Sequence, residues 1–300
     1  MATNTDVTTI AGPRVGGWDR ALVTAGRIVR RYPLAVTGGV IVLTFLLMAI
    51  FAPLIATHDP LEADGRNAFQ TPSAEHWFGT DGLGRDIFSR IVYGSRVSIQ
   101  VGAMAVFFAG GIGVPFGLLA GYRGGIVDAV VMRMADAIIA FPGLILALTL
   151  VMVLGPSAVN IMLAIGIGAA PGYARLIRSQ VLYLKTLDYV TASRSIGATD
   201  VRIIWKHIWP NARASIIVAA SLTMGGAVLA EASLGFLGVG IRPPTPTWGR
   251  MLNDSFSQIY NAPWLSIFPG AAIFLITLAF NLVGDGLRDA LDPRLRRSGR

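Results

Sequence analysis

Side chains suited to catalysis or metal binding are scarce in this 300-residue sequence. It has no Cys, which excludes disulfides and thiolate metal sites, and its three His (His58, His76 and His207) are too scattered in sequence to suggest a metal site. Lys185 and Lys206 are its two lysines, and neither follows the glycine pattern of a Walker A phosphate loop. No Gly-x-Ser-x-Gly or His-Glu-x-x-His motif occurs. We therefore expect no catalytic residue, no metal and no cofactor held by this chain.

Four charged residues fall inside long apolar stretches: Asp128, Arg133, Asp136 and Glu231. Charges at membrane depth are rare and suggest a functional role by default. Glu231 could meet the ammonium group of a solute, or it could be a structural residue bonded to a neighbouring helix or an Arg. Arg133 and Asp136 share a helical face, which favours an internal ion pair over a gate contact. Glu231, Asp136 and Asn281 are our candidates for a solute pathway, although a lone Asn also commonly bonds a neighbouring helix.

The composition predicts the elements that hold these residues. Only 14% of the residues are charged, against about 25% in a typical soluble domain, and 53% are apolar. This excludes disordered chains, disulfide-rich modules and most soluble enzymes. Because a membrane span needs about 20 mainly apolar residues, we predict an all-α membrane protein with six transmembrane helices. The predicted spans are residues 34–56, 97–122, 127–154, 157–173, 213–238 and 265–284.

The formal net charge of +8 reflects where the basic residues lie between these spans. With both termini in the cytoplasm, 18 of the 25 Lys and Arg fall on the cytoplasmic side, as the positive-inside rule favours. The charge is therefore a topology signal and requires no nucleic-acid partner. Residues 1–33 are predicted to be cytoplasmic and to contain an interfacial helix, and residues 57–96 to form an extracytoplasmic loop. The membrane core is predicted at 97–284 and includes a cytoplasmic loop, 174–213, and an outer loop, 239–264. Residues 285–300 are predicted to form a basic cytoplasmic tail.

The cytoplasmic loop 174–213 is long for a connection between membrane helices and predicts two short amphipathic helices. Asp188 is placed to cap the first helix, and Gly197 to end it in the left-handed conformation. Thr199 or the residue after it begins the second helix, which is expected to run to Pro210. Two such helices joined at a Gly form a partly apolar knob that a partner would cover. The alternative is a loop that packs on its own helix bundle.

The same loop resembles the cytoplasmic motif of integral subunits of ABC importers, Glu-Ala-Ala-x3-Gly-x9-Ile-x-Leu-Pro, which forms a coupling helix seated in a groove of the ATPase. The corresponding residues here are Thr191, Ala192, Ser193, Gly197, His207, Trp209 and Pro210. The Gly-to-Pro spacing of 13 residues is kept. Thr191 and Ser193 replace the Glu and the final Ala of the motif, and the Ile and Leu are also replaced.

Two further segments make the resemblance more specific. Residues 76–86 read His-Trp-Phe-Gly-Thr-Asp-Gly-Leu-Gly-Arg-Asp, with Tyr-Gly-Ser-Arg-Val-Ser at 93–98. Residues 231–240 run from Glu-Ala-Ser-Leu-Gly into a proline-rich stretch at 243–249. Both resemble the C-type permease subunit of dipeptide/oligopeptide (or nickel) ABC importers. The resemblance covers about residues 30–295, with three separated motifs in the expected order and on the expected sides of the membrane.

This resemblance implies a type I ABC importer permease fold in the bacterial inner membrane. It implies four kinds of partner: a homologous second permease subunit, two ATP-binding subunits or one fused ATPase, an extracytoplasmic peptide-binding protein, and the lipid bilayer. ATP and Mg²⁺ would be bound by the partner subunits. The expected cargo is di- or oligopeptides. A nickel chelate or another small solute is the alternative cargo, and a stand-alone secondary transporter is the alternative class.

The resemblance also assigns residues to two contact surfaces. The expected ATPase-coupling residues are Asp188, Tyr189, Ala192, Ser193, Arg194, Gly197 and Ala198. Arg194 would pair with an acidic wall of the ATPase groove or remain a solvated charge. The loop residues expected to face the binding protein are Trp77, Asp81, Arg85, Asp86 and Trp248. The alternative for the loop is a folded cap that only satisfies its own polar groups.

Overall fold

A computed structural model describes residues 30–291, whose regular secondary structure is mainly α-helix. The helices are α1 (Pro33–Ile50), α2 (Ala52–Ile55), α3 (Ile87–Arg123), α4 (Gly125–Ile139), α5 (Gly143–Leu154), α6 (Ala158–Leu184), α7 (Asp188–Ser195), α8 (Asp200–Ile203), α9 (Trp209–Phe236), α10 (Trp248–Ser255) and α11 (Trp264–Leu291). A π-turn, Ile204–Ile208, joins α8 to α9. The expected interfacial helix and most of the expected basic tail lie outside the described residues.

Within residues 30–291, five helical runs are long and apolar enough to span a membrane: α1, α3, α6, the continuous run Asp200–Phe236, and α11. The predicted span 127–154 is instead a pair of helices, α4 and α5, bent by 91° to each other. Pro142 lies at this break, and a proline cannot donate the backbone hydrogen bond that a continuous helix requires. The predicted six spans are reached when the bent pair counts as one broken span.

Several helices extend beyond the apolar segments that predicted them. α3 begins at Ile87, inside the predicted loop 57–96, because Asp86 caps it by accepting a 2.8 Å hydrogen bond from the backbone nitrogen of Ser89. α6 continues to Leu184, eleven residues into the predicted loop 174–213. The connection between the long helical runs on that side is therefore shorter than predicted and consists of residues 185–199.

The most extensive helix packing joins α3 to α6. A Cβ atom on Gly113 or Gly117 of α3 would overlap the carbonyl oxygens of Ala170 and Ala174 on α6. Since glycine has no Cβ, the two backbones approach each other directly. The glycine-rich half of α3 is therefore a packing surface within this chain.

The helix directions give the bundle two distinct ends. The α7 end holds residues 123–125 and 185–208, and Lys185 donates a 3.0 Å hydrogen bond to the carbonyl oxygen of Gly121 there. The loop end holds residues 56–86 and 237–263, and the backbone nitrogen of His58 donates a 3.0 Å hydrogen bond to the hydroxyl of Ser89 there. The segments that the charge pattern assigns to opposite sides of the membrane thus lie at opposite ends of the bundle.

The apolar core lies along the bundle in three clusters. Trp248 and Ile276 are buried in a cluster that α1, α3, α9, α10 and α11 share near the loop end. Val151 and Ile161 belong to a second cluster between α3, α5, α6 and α9. Ile203 belongs to a third, in which α3 and α6 meet residues 190–212 at the α7 end. The segment around α7 is thus packed onto the membrane helices from one side.

Candidate functional site

α7 is a short amphipathic helix between α6 and α8, and Val190 is its one buried residue. Asp188, Tyr189, Ala192 and Arg194 are all exposed. Just past the helix, the side chain of Ile196 is 86% exposed. Apolar side chains exposed next to charged ones mark a surface that binds a partner. The exposed face of α7 therefore has the character expected of a docking surface.

The end of α7 depends on Gly197, as predicted. Its φ is +83°, and its backbone nitrogen donates a 3.0 Å hydrogen bond to the carbonyl oxygen of Arg194. The next nitrogen, that of Ala198, donates a 3.1 Å hydrogen bond to the carbonyl oxygen of Ser193. This pair of bonds is the Schellman motif, which requires a residue in the left-handed conformation. Ala198 is half-buried directly behind the turn.

The predicted cap of α7 is wrong. Leu187 occupies the N-cap position and makes no side-chain capping bond, and Asp188 is the first helical residue. A carboxylate in the first turn still interacts favourably with the positive end of the helix dipole. Asp188 therefore supports α7 by its charge and remains exposed.

Side chains from the start of α9 hold one side of α7. The hydroxyl of Ser193 lies 3.3 Å from Nε2 of His207, and the hydroxyl of Tyr189 accepts a 3.3 Å hydrogen bond from the side-chain amide of Asn211. His207 and Asn211 lie in the π-turn and the first turn of α9. Ser193 is thus half-buried between two helices, while Tyr189 keeps an exposed ring face.

The other side of α7 contacts the end of α3. The guanidinium of Arg194 lies 5.9 Å from the ring centroid of Tyr122 and donates a 3.4 Å hydrogen bond to its hydroxyl. The same hydroxyl donates to the carboxylate of Asp200 in α8. Arg194 therefore helps to position α7 while its side chain remains exposed and able to meet an acidic partner.

The second predicted helix begins where expected and ends elsewhere. Thr199 caps it by accepting a 3.4 Å hydrogen bond from the backbone nitrogen of Arg202. The helix does not stop at Pro210, which lies in the first turn of α9 directly after the π-turn, where the backbone nitrogen of Trp209 bonds to the carbonyl oxygen of Ile204. Asp200–Phe236 is one continuous run of 37 residues. Short connections at both ends thus fix α7 between two long helices, α6 and α8–α9.

The acids of α4 form ion pairs with α6. The carboxylate of Asp128 accepts two hydrogen bonds from Arg178, at 2.5 Å and 2.6 Å, and Asp136 pairs with Arg175. The expected partner, Arg133, makes neither pair. Both arginines lie in the part of α6 that the sequence predicted as loop. Asp136 therefore links two helices, and its carboxylate is half-exposed near the α7 end.

Glu231 is completely buried within this chain. Neither carboxyl oxygen makes a hydrogen bond of regular geometry within the described residues, although the Thr247 side chain interacts with the carboxyl group. The residues that follow on α9 pack against the backbone of Gly249 in α10. Glu231 therefore faces α10 and the outer loop of its own chain and lies away from the open surface.

Asn281 has the exposure expected of a pathway residue. It lines a groove of about 760 Å³ between α5, α9, α10 and α11, on a face where apolar side chains are open to the surroundings. Leu229, Phe236 and Phe274 line the same groove. Glu231 and Asp136 do not, so the structure brings none of the three pathway candidates together.

At the loop end, Asp81 organises a tight turn. Its carboxylate accepts hydrogen bonds from the backbone nitrogens of Leu83, at 2.9 Å, and Arg85, at 3.0 Å, and a third from Nε of Arg85 at 2.7 Å. Asp86 is buried beneath this turn as the cap of α3. Asp81 and Arg85 thus bond to each other within the loop, and the carboxylate of Asp86 is bonded to Ser89 and His76, as the alternative of a folded cap requires.

The two tryptophans expected on the outer surface differ. The side chain of Trp77 is 53% exposed and packs on Phe88 with ring centroids 4.8 Å apart. Trp248 is fully buried, which contradicts its expected surface position. Trp248 is the first residue of α10, and its side chain inserts into the bundle between α1 and α3. Of the five loop candidates, Trp77 is the one with a large exposed side chain.

One grouping was missed from the sequence. His58, His76 and Asp86 bring a ligand atom each to within 4.8 Å of one another at the loop end, although the histidines were judged too scattered for a metal site. The turn between residues 76 and 86 folds back on itself, which sequence separation alone does not reveal. The local signal was the helix cap at Asp86.

This architecture defines a class of fold, that of membrane chains from solved ABC transporters. The solved MetNI methionine ABC transporter, described in inward-facing conformations, has a TM-score of 0.56 at 23% identity over 68% of this chain and 96% of that one. An amino acid ABC transporter crystallised with histidines has a TM-score of 0.51 at 19% identity over 70% and 94%. At these identities the likeness concerns the fold.

The sequence places the chain in a particular family. It belongs to the family described as binding-protein-dependent transport system inner membrane component, which matches residues 113–297. Residues 22–72 match the N-terminal TM domain of oligopeptide transport permease C. The dipeptide transport system permease protein DppC of Alkalihalophilus pseudofirmus is 48% identical over 267 residues, 89% of this chain and 88% of the relative. The glutathione transport system permease protein GsiD of Pectobacterium atrosepticum is 45% identical over 269 residues, 89% of each chain.

The expected family is thereby confirmed. The chain is an inner-membrane permease subunit of an ABC transporter and is not itself catalytic. The predicted all-α permease fold of type I ABC importers is confirmed as well.

Proposed function

We propose that this chain imports di- and oligopeptides through a pore that it forms with a homologous second permease subunit. The support for the cargo is that relatives named for dipeptide and glutathione transport align with 89% of the chain. Both named cargoes are short peptides. The alignment includes the loop end, where cargo would arrive, and the α7 end, where energy would enter.

The observation that carries the transport mechanism is the position of α7. α7 keeps one face exposed and is anchored on one side by His207 and Asn211 of the run Asp200–Phe236. On the other side it is anchored by Tyr122 of α3. A partner that moves α7 therefore moves the ends of several membrane helices together. ATP-driven closure of two nucleotide-binding subunits would draw two such coupling helices towards each other and open the pathway to the opposite side.

ATP and Mg²⁺ belong to the partner subunits in this proposal, since the sequence has no phosphate-binding loop. The coupling contact would consist of Asp188, Tyr189, Ala192 and Arg194 on the exposed face of α7, with Gly197 fixing its end. We place this surface in the cytoplasm because the charge distribution favours cytoplasmic termini. The ATP-binding subunits are two separate chains or one fused chain.

A second permease subunit is proposed because one side of the bundle is open. The groove lined by Asn281, Leu229 and Phe274 is not closed by the described part of this chain. A related subunit facing this groove would enclose a pathway between the two chains. Asn281 would then offer a polar side chain to peptide backbone groups inside an apolar wall.

A peptide-binding protein would dock at the loop end, which we place outside the membrane. Trp77 and Leu83 are both more than half exposed; Trp77 precedes the turn that Asp81 organises, and Leu83 lies within it. Exposed aromatic and aliphatic side chains on a rigid turn suit a transient protein contact. Asp81, Arg85 and Asp86 would support this surface from below.

Uptake measurements test the proposed cargo. The complete transporter, expressed in a bacterial strain that lacks its own peptide importers, is expected to take up radiolabelled di- and tripeptides in an ATP-dependent manner, and unlabelled peptides should compete. Uptake of a nickel chelate or of single amino acids without peptide uptake would contradict the peptide cargo. Transport by the purified chain alone, without co-purifying ATPase and second permease, would contradict the proposed assembly.

A further inference from the structure

A compact cluster of metal-binding side chains lies at the loop end, beneath the proposed binding-protein surface, with which it shares Asp86. Nδ1 of His76 lies 3.0 Å from Oδ1 of Asp86, and Nδ1 of His58 lies 3.9 Å from the same oxygen. The two imidazole ring centroids are 4.6 Å apart. We propose that His58, His76 and Asp86 form a binding site for a divalent first-row transition metal ion, with Zn²⁺ as the ion that fits best.

The spacing of the donor atoms is close to what Zn²⁺ needs. Ligand atoms about 2.0–2.2 Å from a tetrahedral zinc ion are about 3.3–3.6 Å from each other. The two distances to Oδ1 of Asp86, 3.0 Å and 3.9 Å, lie on either side of this range. The three donor atoms lie within 4.8 Å of one another, and the side chain of His58 is 34% exposed, so its ring can move the roughly 1 Å required. Water would complete the coordination from the exposed side.

The carboxylate of Asp86 is held in the orientation that a metal ligand requires. Its Oδ2 atom accepts a 2.8 Å hydrogen bond from the backbone nitrogen of Ser89 and contacts the hydroxyl of Thr57 at 3.4 Å. Oδ1 is thereby directed towards the two histidines. Such outer contacts fix the geometry of metal ligands in known sites. Because the carboxylate is buried, a cation beside it would also offset its unfavourable removal from water.

The donor set indicates which ions would bind. Two imidazole nitrogens and one carboxylate oxygen suit Zn²⁺, Co²⁺ or Ni²⁺, whereas Mg²⁺ and Ca²⁺ prefer sites made of oxygen ligands. The three ligands come from three places: the segment after α2, the middle of the loop and the cap of α3. A bound ion would therefore fasten the loop onto the start of a membrane helix and stabilise the folded loop.

The sequence provides a matched control for this proposal. His207 is the third and last histidine of the chain, and it lies at the opposite end of the bundle in contact with Ser193. The experiment compares the purified complete transporter carrying the wild-type chain, His58→Gln, His76→Gln or His207→Gln. Each sample is stripped with a chelator and titrated with ZnCl₂ by calorimetry, with MgCl₂ as a second control.

We expect the wild type and His207→Gln to bind one equivalent of Zn²⁺ tightly. His58→Gln and His76→Gln should lose this equivalent or bind it more than about tenfold more weakly. Addition of Zn²⁺ should raise the melting temperature of the first two samples only. Co²⁺ in place of Zn²⁺ should give visible absorption that both loop variants lose. MgCl₂ should produce none of these changes.

Equal zinc binding by His58→Gln and the wild type would overturn the proposal, as would loss of binding in His207→Gln alone. His58→Gln is the decisive variant, because a side chain one-third exposed can be replaced without disturbing the buried core. Asp86→Asn gives an independent check: Asn keeps the helix cap but removes the charged ligand, so the transporter should assemble and still lose the tight zinc equivalent.

Discussion

The indole Nε1 of Trp248 donates a 3.1 Å hydrogen bond to the carbonyl oxygen of Ile91, 157 residues earlier in the chain. The ring of Trp248 also meets Phe45 edge-on, with centroids 5.5 Å apart. A Cβ atom on Gly94 would lie 2.7 Å from the same Nε1, so the indole passes directly over the backbone of α3. One side chain therefore joins α10 to both α1 and α3 and fixes the outer loop onto the bundle.

Replacing this tryptophan should destabilise the whole loop end. Trp248→Ala is expected to lower the free energy of unfolding by about 3–5 kcal/mol, since it leaves a large cavity and removes the hydrogen bond to the carbonyl oxygen of Ile91. Trp248→Phe keeps most of the packing and should cost less. Thermal unfolding of the purified transporter measures both effects. Trp77→Ala removes an exposed indole and serves as the control, and a melting temperature for Trp248→Ala equal to that of Trp77→Ala would refute the structural role.

A second prediction concerns the contact between α3 and α6. Gly117→Val should prevent normal packing, because even its Cβ would overlap the carbonyl group of Ala174. Gly110 lies on the same helix with nothing within 4 Å of an added Cβ, so Gly110→Val is the matched control. We expect the first variant to be depleted from the membrane and the second to accumulate normally, as measured by quantitative blotting. Equal amounts of the two would contradict the close approach.

Sequence patterns predicted those features that depend on neighbouring residues. The long apolar runs predicted five of the spans, whereas the predicted span 127–154 is a bent pair that breaks at Pro142. The position of Gly197 after an amphipathic segment predicted both the end of α7 and the left-handed backbone there. These features depend on hydrogen bonds and solvation within a few residues, which the order of side chains determines directly.

Features that depend on distant contacts were not predictable in the same way. The arginines of α6 were assigned to a loop because charged residues usually end a membrane span, but Asp128 provides a partner for Arg178 fifty residues away. Trp248 was expected at the surface because it follows a proline-rich stretch, and its burial depends on a groove formed by α1 and α3. His58 and His76 likewise meet only through the fold of the loop.

The ion pair between Asp128 and Arg178 should stabilise the angle of α4 against α6. Asp128→Arg alone places like charges together and should lower the melting temperature, whereas combining it with Arg178→Asp should restore part of the loss. Arg250 and Asp254 form a more exposed pair within α10, with their atoms 2.9 Å apart, and provide the comparison. Reversing Asp254 should have a smaller effect, because exposed pairs contribute less than about 1 kcal/mol. Identical shifts for both single reversals would argue against a special role of the α4–α6 pair.

Glu231 offers a test of the pathway itself. Since its side chain is buried against α10 within one chain, we expect Glu231→Gln, which preserves shape, to transport free and N-acetylated dipeptides in the same ratio as the wild type. Asn281→Leu, in the open groove, should change transport more. Competition between the two peptides in an uptake assay gives the ratio. A selective loss of free-amine peptides in Glu231→Gln would instead assign the carboxylate to cargo binding.

The coupling role of α7 makes the sharpest prediction. Gly197 has a φ of +83° and open space around its Cα, so a side chain there changes the backbone and the shape of the knob without a clash in the core. Gly197→Val should leave the chain in the membrane. It should reduce both transport and the stimulation of ATPase activity by loaded binding protein more than about tenfold. The reason is that a β-branched residue is strained in the left-handed conformation and would distort the end of α7. Gly65→Val adds the same side chain to the loop end, where the backbone is not left-handed and the space is open, and should transport normally. Normal coupled transport by Gly197→Val, at equal membrane abundance, would exclude α7 as the route by which ATP hydrolysis drives this permease.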